Sequence, residues 1–560
     1  MKVHISHHAN NNLSAKEVVE LIIKNRNIFD VEKFLSPPHP KNLSLSDFFP
    51  HAHFQKYAKL TLKALKKALT HKQKVIIWGD YDADGITGTA ILWQTLHKIG
   101  FDVLPHIPAR ESGYGFNIAD LQKIHSSHSP ALIITVDHGI AGHDGVDFSG
   151  TLGIPVIITD HHSKTASDPD ALAIFHTDKI SGSGVAYLFA KYIFEEIAPE
   201  NNQLKQLFET DFLALATIGI IADLIPITGE ARRICFHGLS AFANISQPGL
   251  VELAKSCQLE GLIPTTYDIG FKIAPRINAL GRIADATDAL RLLCTTSPQK
   301  AKDLTKIANE INTERQNIVE KSLKKALSHF TSLSQMPNFI LYRDDDLMEG
   351  IIGLIASKLT QKYHLPSLVI TCKDGKCKGS ARSVKAIDIT TFLKKSSNLF
   401  ESLGGHHQAA GCSLSESNFT ALSESIMKNA LDFDKDWLQP FLEVDMEIPL
   451  ESISLDLAQY LENLAPFGIG NPKPTFLSEG SFTSIRPTKN PSVWQFTISD
   501  GSNTLSGVDF SQSISEKAIN TDSKIVFRIQ HDKFNGKSSA KIELVKLIND
   551  EDQLIQMTKF

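Results

Sequence analysis

The chain has 560 residues, a formal net charge of −5 and 42% hydrophobic residues. This length predicts roughly three to four globular domains with large cores. The acidic balance argues against a strongly basic nucleic-acid-binding protein, although a basic groove and an acidic metal site can share one chain. The six cysteines are scattered without a Cys-x-x-Cys pair, so we expect reduced thiols and neither a zinc-site nor a disulfide framework. No apolar run has membrane-spanning length and the N-terminus has no apolar signal core, which predicts a cytoplasmic protein without membrane attachment.

The first half of the chain has the pattern of a parallel α/β sheet. Residues 1–55 predict an irregular segment with one short helix, and a lysine-rich amphipathic helix follows at 57–69. The stretch VIIWGDYDADGITGTAIL then predicts a buried strand at 75–78, an acidic turn and the start of a helix. Apolar strands at 131–136 and 154–159 alternate with helical segments, which is typical of parallel sheets.

Three aspartates occupy alternate positions in the acidic turn: Asp80, Asp82 and Asp84. Carboxylates so close together repel one another, and a turn requires only one of them. A solvated acidic turn would explain two aspartates, but three of them between an apolar strand and a glycine favour a bound cation. Hard oxygen ligands suit Mg²⁺ or Mn²⁺.

Acidic and histidine residues also follow the later elements: Asp137, then Asp160, His161 and His162, then Asp223. The carboxyl ends of parallel strands face one crevice, so we expect these side chains to converge. Each has an ordinary alternative. Asp137 could cap the next helix, His161 and His162 could be a hydrogen-bonded loop pair, and Asp223 could lie in a turn at a helix end. Together they predict two divalent cations that clamp a scissile phosphate, with a histidine as general acid near the leaving oxygen.

The second half of the chain predicts a long helix, a second α/β unit and a small barrel. The helix at 301–330 has apolar residues at steps of three and four and suits a connector between two lobes, with a core helix as the alternative. Short alternating strands from about residue 442 onwards are typical of an all-β barrel. Mixed aromatic and basic residues in this segment suit the binding of single-stranded DNA. Most of the aromatic side chains are expected in the core, and Phe534 is expected to be available for stacking on a base.

Several turns and one strand carry groups that bind phosphate. A guanidinium group can bind phosphate oxygens through two hydrogen bonds. For any one of these arginines the alternative is a surface residue that is ion-paired with a carboxylate. In KGSARS, Ser380 and Arg382 alternate as a strand would place them on one face. Gly405 and His406 lie in GGHHQAAG, which predicts the start of a helix and an anion site, or else a turn that requires positive φ. The arginines in such segments are Arg110, Arg276, Arg282 and Arg382.

At this point the sequence resembles a known family. WGDYDADGITGTA, VDHGI, TDHH and IADLIPITGE resemble the four motifs of the DHH phosphoesterase superfamily. The segments PARESGYGFN, SGSGVAY, APRINALGR, KGSARS, LGGHHQAAG and APFGIGNPKPTF are similar to its branch of single-strand-specific 5′-to-3′ DNA exonucleases. The resemblance runs in order from about residue 43 to the C-terminus.

This resemblance implies a fold and a division into domains. The expected fold class is α/β, with a parallel-sheet DHH domain joined by a long helix to a smaller α/β DHH-associated domain, followed by a β-barrel OB-fold. The expected boundaries are an N-terminal segment at 1–55, the DHH domain at 56–300, the helix at 301–330, the DHH-associated domain at 331–438 and the OB-fold at 439–560.

The resemblance also implies roles for residues. Two Mn²⁺ or Mg²⁺ ions are expected, with Asp80 as a ligand or an outer residue of the site and Asp160 orienting His161. His162, Asp84 and Asp137 are predicted as catalytic. The expected metal ligands are Asp80, Asp82, Asp84, Asp137, His161 and Asp223. The groups expected around the DNA backbone and its 5′ end are Arg110, Arg276, Arg282, Ser380, Arg382, Gly405 and His406.

The expected reaction is metal-dependent release of 5′-mononucleotides from single-stranded DNA, in repair and recombination. The family further implies a monomer that works with a single-strand-binding protein and a helicase. One alternative is an oligonucleotide or nucleotide phosphatase, and another is a catalytically silent DNA-binding scaffold. The sequence departs from the family at Leu347-Met348, where Trp-His is usual, so a histidine contact there is not expected.

Overall fold

The computed structural model describes residues 1–7, 13–109, 115–333, 335–511, 513–515, 518–519, 521–534 and 536–556. The predictions for Arg110 and for the side chain of Phe534 lie outside the described residues. No helix within these ranges is long and apolar enough to cross a bilayer.

The strands are numbered in chain order. They are β1 (Lys2–Ile5), β2 (Val75–Gly79), β3 (Val103–His106), β4 (Leu132–Val136), β5 (Val156–Asp160), β6 (Ala173–His176), β7 (Ile340–Arg343), β8 (Ser367–Lys373), β9 (Lys376–Arg382), β10 (Ser402–His406), β11 (Ala409–Ser415), β12 (Phe441–Val444), β13 (Met446–Glu447), β14 (Phe476–Pro487), β15 (Trp494–Ser499), β16 (Thr504–Asp509), β17 (Asp522–Phe534), β18 (Lys537–Leu547) and β19 (Gln553–Gln556).

The α-helices are numbered in the same way. They are α1 (Ala15–Asn25), α2 (Val31–Leu35), α3 (His51–Thr70), α4 (Ala83–Ile99), α5 (Ile118–His128), α6 (His143–Thr151), α7 (Gly182–Ile197), α8 (Asn202–Glu209), α9 (Asp211–Ala222), α10 (Gly229–Ala241), α11 (Pro248–Ser256), α12 (Thr266–Asp268), α13 (Ala274–Ile283), α14 (Ala286–Cys294), α15 (Pro298–Thr331), α16 (Glu349–Tyr363), α17 (Ile389–Lys394), α18 (Phe419–Asn429) and α19 (Leu455–Glu462).

The first sheet is parallel, as the alternating pattern predicts. Its order is β3-β2-β4-β5-β6, and each neighbouring pair is parallel. All residues of β2, β4 and β5 are buried, because parallel sheets are covered on both faces. The carboxyl ends of these three neighbouring strands therefore meet at one edge of the sheet.

The second sheet has the order β10-β11-β9-β8-β7, with β7 and β8 parallel and the other pairs antiparallel. The predicted helix at 301–330 is confirmed as α15, which Ser297 caps. It lies with both sheets in one compact unit, residues 39–225 and 229–438.

Two predictions for the second sheet are wrong. Gly405 and His406 do not open a helix but end strand β10, which pairs with β11. Gly405 has φ +153°, and a Cβ there would lie 2.3 Å from the carbonyl oxygen of Ala409, so glycine is required by the close pairing. Cys372 and Cys377 face each other across β8 and β9 and form a disulfide, which residue spacing alone does not reveal.

The other compact unit comprises residues 1–38, 226–228 and 439–560. Strands β14, β15, β16, β18 and β17 follow one another, and β14 also pairs with β17, which closes the predicted barrel. Phe496 and Phe527 are buried in its core, as expected. The N-terminal segment is more ordered than its sequence suggests, since β1 pairs with β12 and β19 and the apolar face of α1 packs into the barrel core.

Candidate metal centre

The acidic turn after β2 is fixed by hydrogen bonds of its own backbone. Asp82 caps α4 and accepts hydrogen bonds from the backbone N–H groups of Asp84 at 2.9 Å and Gly85 at 3.1 Å. Gly85 is needed because a Cβ there would lie 2.6 Å from the Cβ of Asp80. The N–H of Ala83 donates to Oδ1 of Asn278 on α13 at 2.9 Å, which fixes the turn from the opposite side.

The N-terminus of α7 holds the Asp84 carboxylate. Oδ1 accepts hydrogen bonds from the Ser181 hydroxyl at 2.7 Å and the Ser183 N–H at 3.0 Å, while Oδ2 accepts from the Gly182 N–H at 2.7 Å. A helix N-terminus stabilises a negative charge. This role of Ser181, Gly182 and Ser183 was not predicted, although they lie in the family segment SGSGVAY and its serine-glycine pattern is typical of an anion-binding turn.

His161 lies among three carboxylates. Its Nε2 is 3.1 Å from Asp137 Oδ1, 3.5 Å from Asp223 Oδ2 and 3.9 Å from an Asp84 oxygen. Burial lowers the pKa of His161, which favours the neutral ring. This buried Nε2 has no hydrogen-bond partner among the described residues. A neutral nitrogen that faces three carboxylates is the arrangement expected of a metal ligand.

Overlapping groups of side chains have their ligand atoms within 4.8 Å of one another: Asp84, His161 and Asp223; Asp80, Asp82 and Asp137; and Asp137, His161 and His162. Asp137 and His161 each belong to two of these groups, which therefore form one continuous cluster. Carboxylate and imidazole donors fit Mn²⁺ or Mg²⁺.

The electrostatics of the cluster favour a cation. Burial, followed by the charges of Asp84 and Asp82, raises the pKa of Asp137 well above its ordinary value. The same causes raise the pKa of Asp223 to about 8. Carboxyl groups that resist ionisation together are stabilised as carboxylates when a divalent cation binds.

Asp160 lies at the end of β5 and orients His162. Its Oδ1 accepts hydrogen bonds from His162 Nδ1 at 2.8 Å and from the backbone N–H groups of His161 and His162. Its Oδ2 accepts from the Ile140 N–H at 2.9 Å. Asp160 therefore contacts His161, which it was predicted to orient, through the backbone N–H, and it contacts His162 through the ring as well. Burial opposes the charged form of His162, but the Asp160 hydrogen bond and charge raise the pKa to about 9.

A cavity of ≈ 860 Å³ opens beside this cluster. His161 and His162 line it after strand β5, Asp223 lines it at the end of α9, and His406 lines it from strand β10. The ring centroids of His162 and His406 are 6.1 Å apart, and His406 Nδ1 lies 3.2 Å from the hydroxyl of Ser163. The structure therefore places His406 beside the candidate metal centre, although no helix begins there.

Two of the predicted arginines border the start of α16. Arg282 donates to the Gly350 carbonyl oxygen at 3.0 Å, and a Cβ on Gly353 would lie 3.1 Å from Nη2 of Arg382. Arg382 also donates to the Ser380 hydroxyl at 3.1 Å. Arg276 instead donates from Nε to Asn309 on α15 at 2.6 Å. Arg282 therefore contacts the first turn of α16, Ser380 and Arg382 lie beside its second turn, and Arg276 lies at a helix contact.

The fold and the metal centre define a phosphoesterase of the DHH type, and three family models match the chain accordingly. The DHH family N-terminal domain matches residues 74–220, the DHHA1 domain matches 336–431 and the RecJ OB domain matches 444–546. The chain belongs to the RecJ family. It is 31% identical to the single-stranded-DNA-specific exonuclease RecJ of Salmonella typhimurium over 464 residues, which cover 76% of this chain and 78% of the relative.

Other relatives agree in sequence and structure. RecJ of Bacillus subtilis is 31% identical over 88% of this chain, and the chain spans 63% of that relative. RecJ of Thermus thermophilus in complex with Mn²⁺ has a TM-score of 0.80 at 26% identity, covering 98% of this chain and 80% of the solved one. An exonuclease RecJ bound to manganese has a TM-score of 0.58 at 31% identity, and the match covers 70% of this chain and 97% of the solved one. The predicted family and fold class are confirmed.

Proposed function

We propose that this chain is a single-stranded-DNA-specific exonuclease that degrades from the 5′ end and releases 5′-mononucleotides. The observation that carries the proposal is the convergence of three carboxylates on His161, beside a cavity that His162 and His406 line. The named relatives are single-stranded-DNA-specific exonucleases.

Two divalent ions, Mn²⁺ or Mg²⁺, would occupy the metal centre. When bound, such ions neutralise the charge of a scissile phosphate and lower the pKa of coordinated water. Asp84 and Asp137 would be among the residues that hold these ions, with the orientation of Asp84 set by the α7 N-terminus. The proposed ligands are Asp80, Asp82, Asp84, Asp137, His161 and Asp223.

His162 is the proposed general acid. Its Nδ1 donates to Asp160, and the raised pKa keeps the ring protonated at neutral pH. The proton on Nε2 is then available to the 3′ oxygen of the departing nucleotide. Asp160 holds the ring in this orientation, and it is itself held by three backbone N–H groups.

The group of Arg282, Ser380 and Arg382 is the proposed pocket for the 5′-phosphate. A terminal phosphate has more negative charge than an internal one, and two guanidinium groups beside the first two turns of α16 would favour that charge. Arg110, Arg276, Gly405 and His406 are proposed along the adjoining DNA backbone.

The barrel is the proposed module for single strands, since stacking aromatics and basic side chains serve this purpose in such barrels.

The boundaries given above, at residues 55, 300, 330 and 438, remain our proposed division of the chain. The proposed protein is a cytoplasmic monomer. It would act in repair and recombination together with a single-strand-binding protein and a helicase. A phosphatase of small substrates would not need the barrel, and a silent scaffold would not need the complete ligand set.

The test uses 5′-labelled single strands, duplexes and dinucleotides with Mn²⁺, with Mg²⁺ or with a chelator. We expect single strands to yield labelled mononucleotide at once with either metal and none with chelator. Cleavage of dinucleotides alone would favour the phosphatase, and binding without cleavage would favour the scaffold. Either result would overturn the proposal.

A further inference from the structure

An aromatic pair is exposed on the unit that contains the metal centre. Tyr267 and Phe271 are 63% and 69% exposed. Their ring centroids are 4.7 Å apart and their planes are inclined by 23°, so they stack on each other. Single exposed apolar side chains are ordinary, whereas a contiguous exposed group such as this stacked pair marks an interaction site.

The local sequence holds this pair in place. Thr265 and Asp268 form a capping box that starts α12, and a single π-helical turn, Ile269–Ile273, joins α12 to α13. Ile269 and Ile273 are fully buried, and their spacing of four residues anchors one face of the turn. Tyr267 and Phe271 have the same spacing on the opposite face. Inserted π-turns are frequent at functional sites.

Two contacts connect this segment to the metal centre. A Cβ on Gly270 would lie 3.6 Å from Ile221, which precedes Asp223 by two residues. Asn278, seven residues after Phe271, accepts the hydrogen bond from Ala83 in the acidic turn. At a rise of 1.5 Å per residue, the backbone of Phe271 lies roughly 10 Å along the helix from Asn278, which contacts the acidic turn.

We propose that Tyr267 and Phe271 form a platform on which a base of single-stranded DNA stacks, beyond the scissile phosphate. This inference rests on the proposed function. Every base has a π-face, and stacking on exposed rings tolerates any sequence. A base within a duplex is already stacked on both faces, so the platform would also favour single strands. Lys272 forms an ion pair with Asp268 at 2.6 Å and Arg276 donates to Asn309, so the platform would hold the strand by stacking rather than by charge.

The alternative occupant is an apolar segment of a partner protein, because Leu262 and Ile263 in the preceding loop are 55% and 61% exposed. A platform for bases requires the rings, whereas an apolar docking patch would require the aliphatic side chains as well. The stacked geometry of the two rings favours the base.

The experiment measures binding of single-stranded oligonucleotides in chelator, with one abasic position moved stepwise from the 5′ end. We expect the wild type to lose about tenfold in affinity when the abasic position reaches the platform. In Tyr267→Ala/Phe271→Ala the affinity for the intact strand should fall by a similar factor, and the position dependence should disappear. Tyr267→Phe/Phe271→Tyr should restore both, which separates lost rings from a lost fold.

Trp437→Ala is the matched control, since Trp437 is 46% exposed in the same unit and far along the chain from the pair. Leu262→Ala/Ile263→Ala should bind the strands as the wild type does. Wild-type affinity in the double aromatic variant, or an equal loss in the aliphatic variant, would overturn the platform. Such a failure leaves wild-type cleavage of single strands intact, whereas failure of the proposed function abolishes it in the wild type itself.

Discussion

The backbone N–H of Gly182 donates to Oδ2 of Asp84 at 2.7 Å, so a metal-centre carboxylate is bound to the N-terminus of α7. Two further donors, the Ser181 hydroxyl and the Ser183 N–H, bind the other oxygen. Asp84 is therefore a proposed metal ligand and also the acceptor that binds the start of α7 to the acidic turn. Asp223, by contrast, caps the end of α9 and its side chain is 32% exposed.

These two aspartates should differ when they are replaced. Asp84→Ala leaves three buried donors without an acceptor, so we expect a loss of stability of about 1–3 kcal/mol together with the loss of activity. Asp223→Ala should abolish activity with little change in stability, because its half-buried carboxylate holds no such set of backbone donors in place. Denaturant unfolding in chelator measures the stabilities. Equal stabilities of the two variants would contradict the structural role of the α7 cradle.

His162 should affect turnover more than binding. His162→Ala removes the proposed proton donor, so we expect kcat to fall by roughly 10²–10⁴-fold while the affinity for single strands in chelator changes little. Asp160→Asn should have a smaller effect of the same kind, because the ring loses its charged partner but remains in place. Equal losses in affinity and turnover would instead make His162 a group that positions the substrate.

Metal binding should be linked to pH through the carboxyl groups. In the metal-free centre the pKa of Asp223 is about 8 and that of Asp137 is also raised. Folding disfavours their ionisation, so the metal-free protein should lose stability as pH rises from about 4 to about 8. Mn²⁺ displaces these protons, and its stabilising effect should grow over the same range. Thermal unfolding at several pH values, with chelator and with Mn²⁺, measures both trends, and a metal effect that shrinks as pH rises would contradict them.

The 5′-phosphate pocket should determine polarity. Arg382→Ala should remove the preference for 5′-phosphorylated over 5′-hydroxyl strands, which we expect to be about 1–3 kcal/mol. Arg343→Ala is the control, because Arg343 lies in the same sheet but pairs with Asp345 and Glu416. The ratio of kcat/KM for the two ends measures the preference. A wild type that ignores the 5′-phosphate, or that starts from the 3′ end, would refute this pocket.

The carboxylates of the metal centre could be predicted because they depend on a local rule, the position after a strand. Their partners could not be predicted, since the contact of Asp84 with Ser181 joins residues 97 positions apart and has no periodic signal. Glycine-rich segments occur both at the start of helices and in closely paired strands, so the predicted helix at Gly405 is a strand in the structure. The Cys372–Cys377 disulfide and the pairing of β1 with β19 depend on strand register, which the sequence does not encode locally.

The last prediction concerns the barrel and how to remove it. Val18, Val19, Ile22 and Ile23 of α1 belong to the barrel core, so deleting residues 439–560 alone would expose them to solvent and cause aggregation. A chain of residues 39–438 avoids this exposure and keeps both α/β sheets. We expect it to cleave short oligonucleotides, to bind long single strands more weakly and to lose part of the salt dependence of binding, because phosphate contacts are removed. Binding titrations at several salt concentrations measure the change. If this chain folds and binds long strands with the affinity and salt slope of the full protein, the barrel does not contribute to DNA binding.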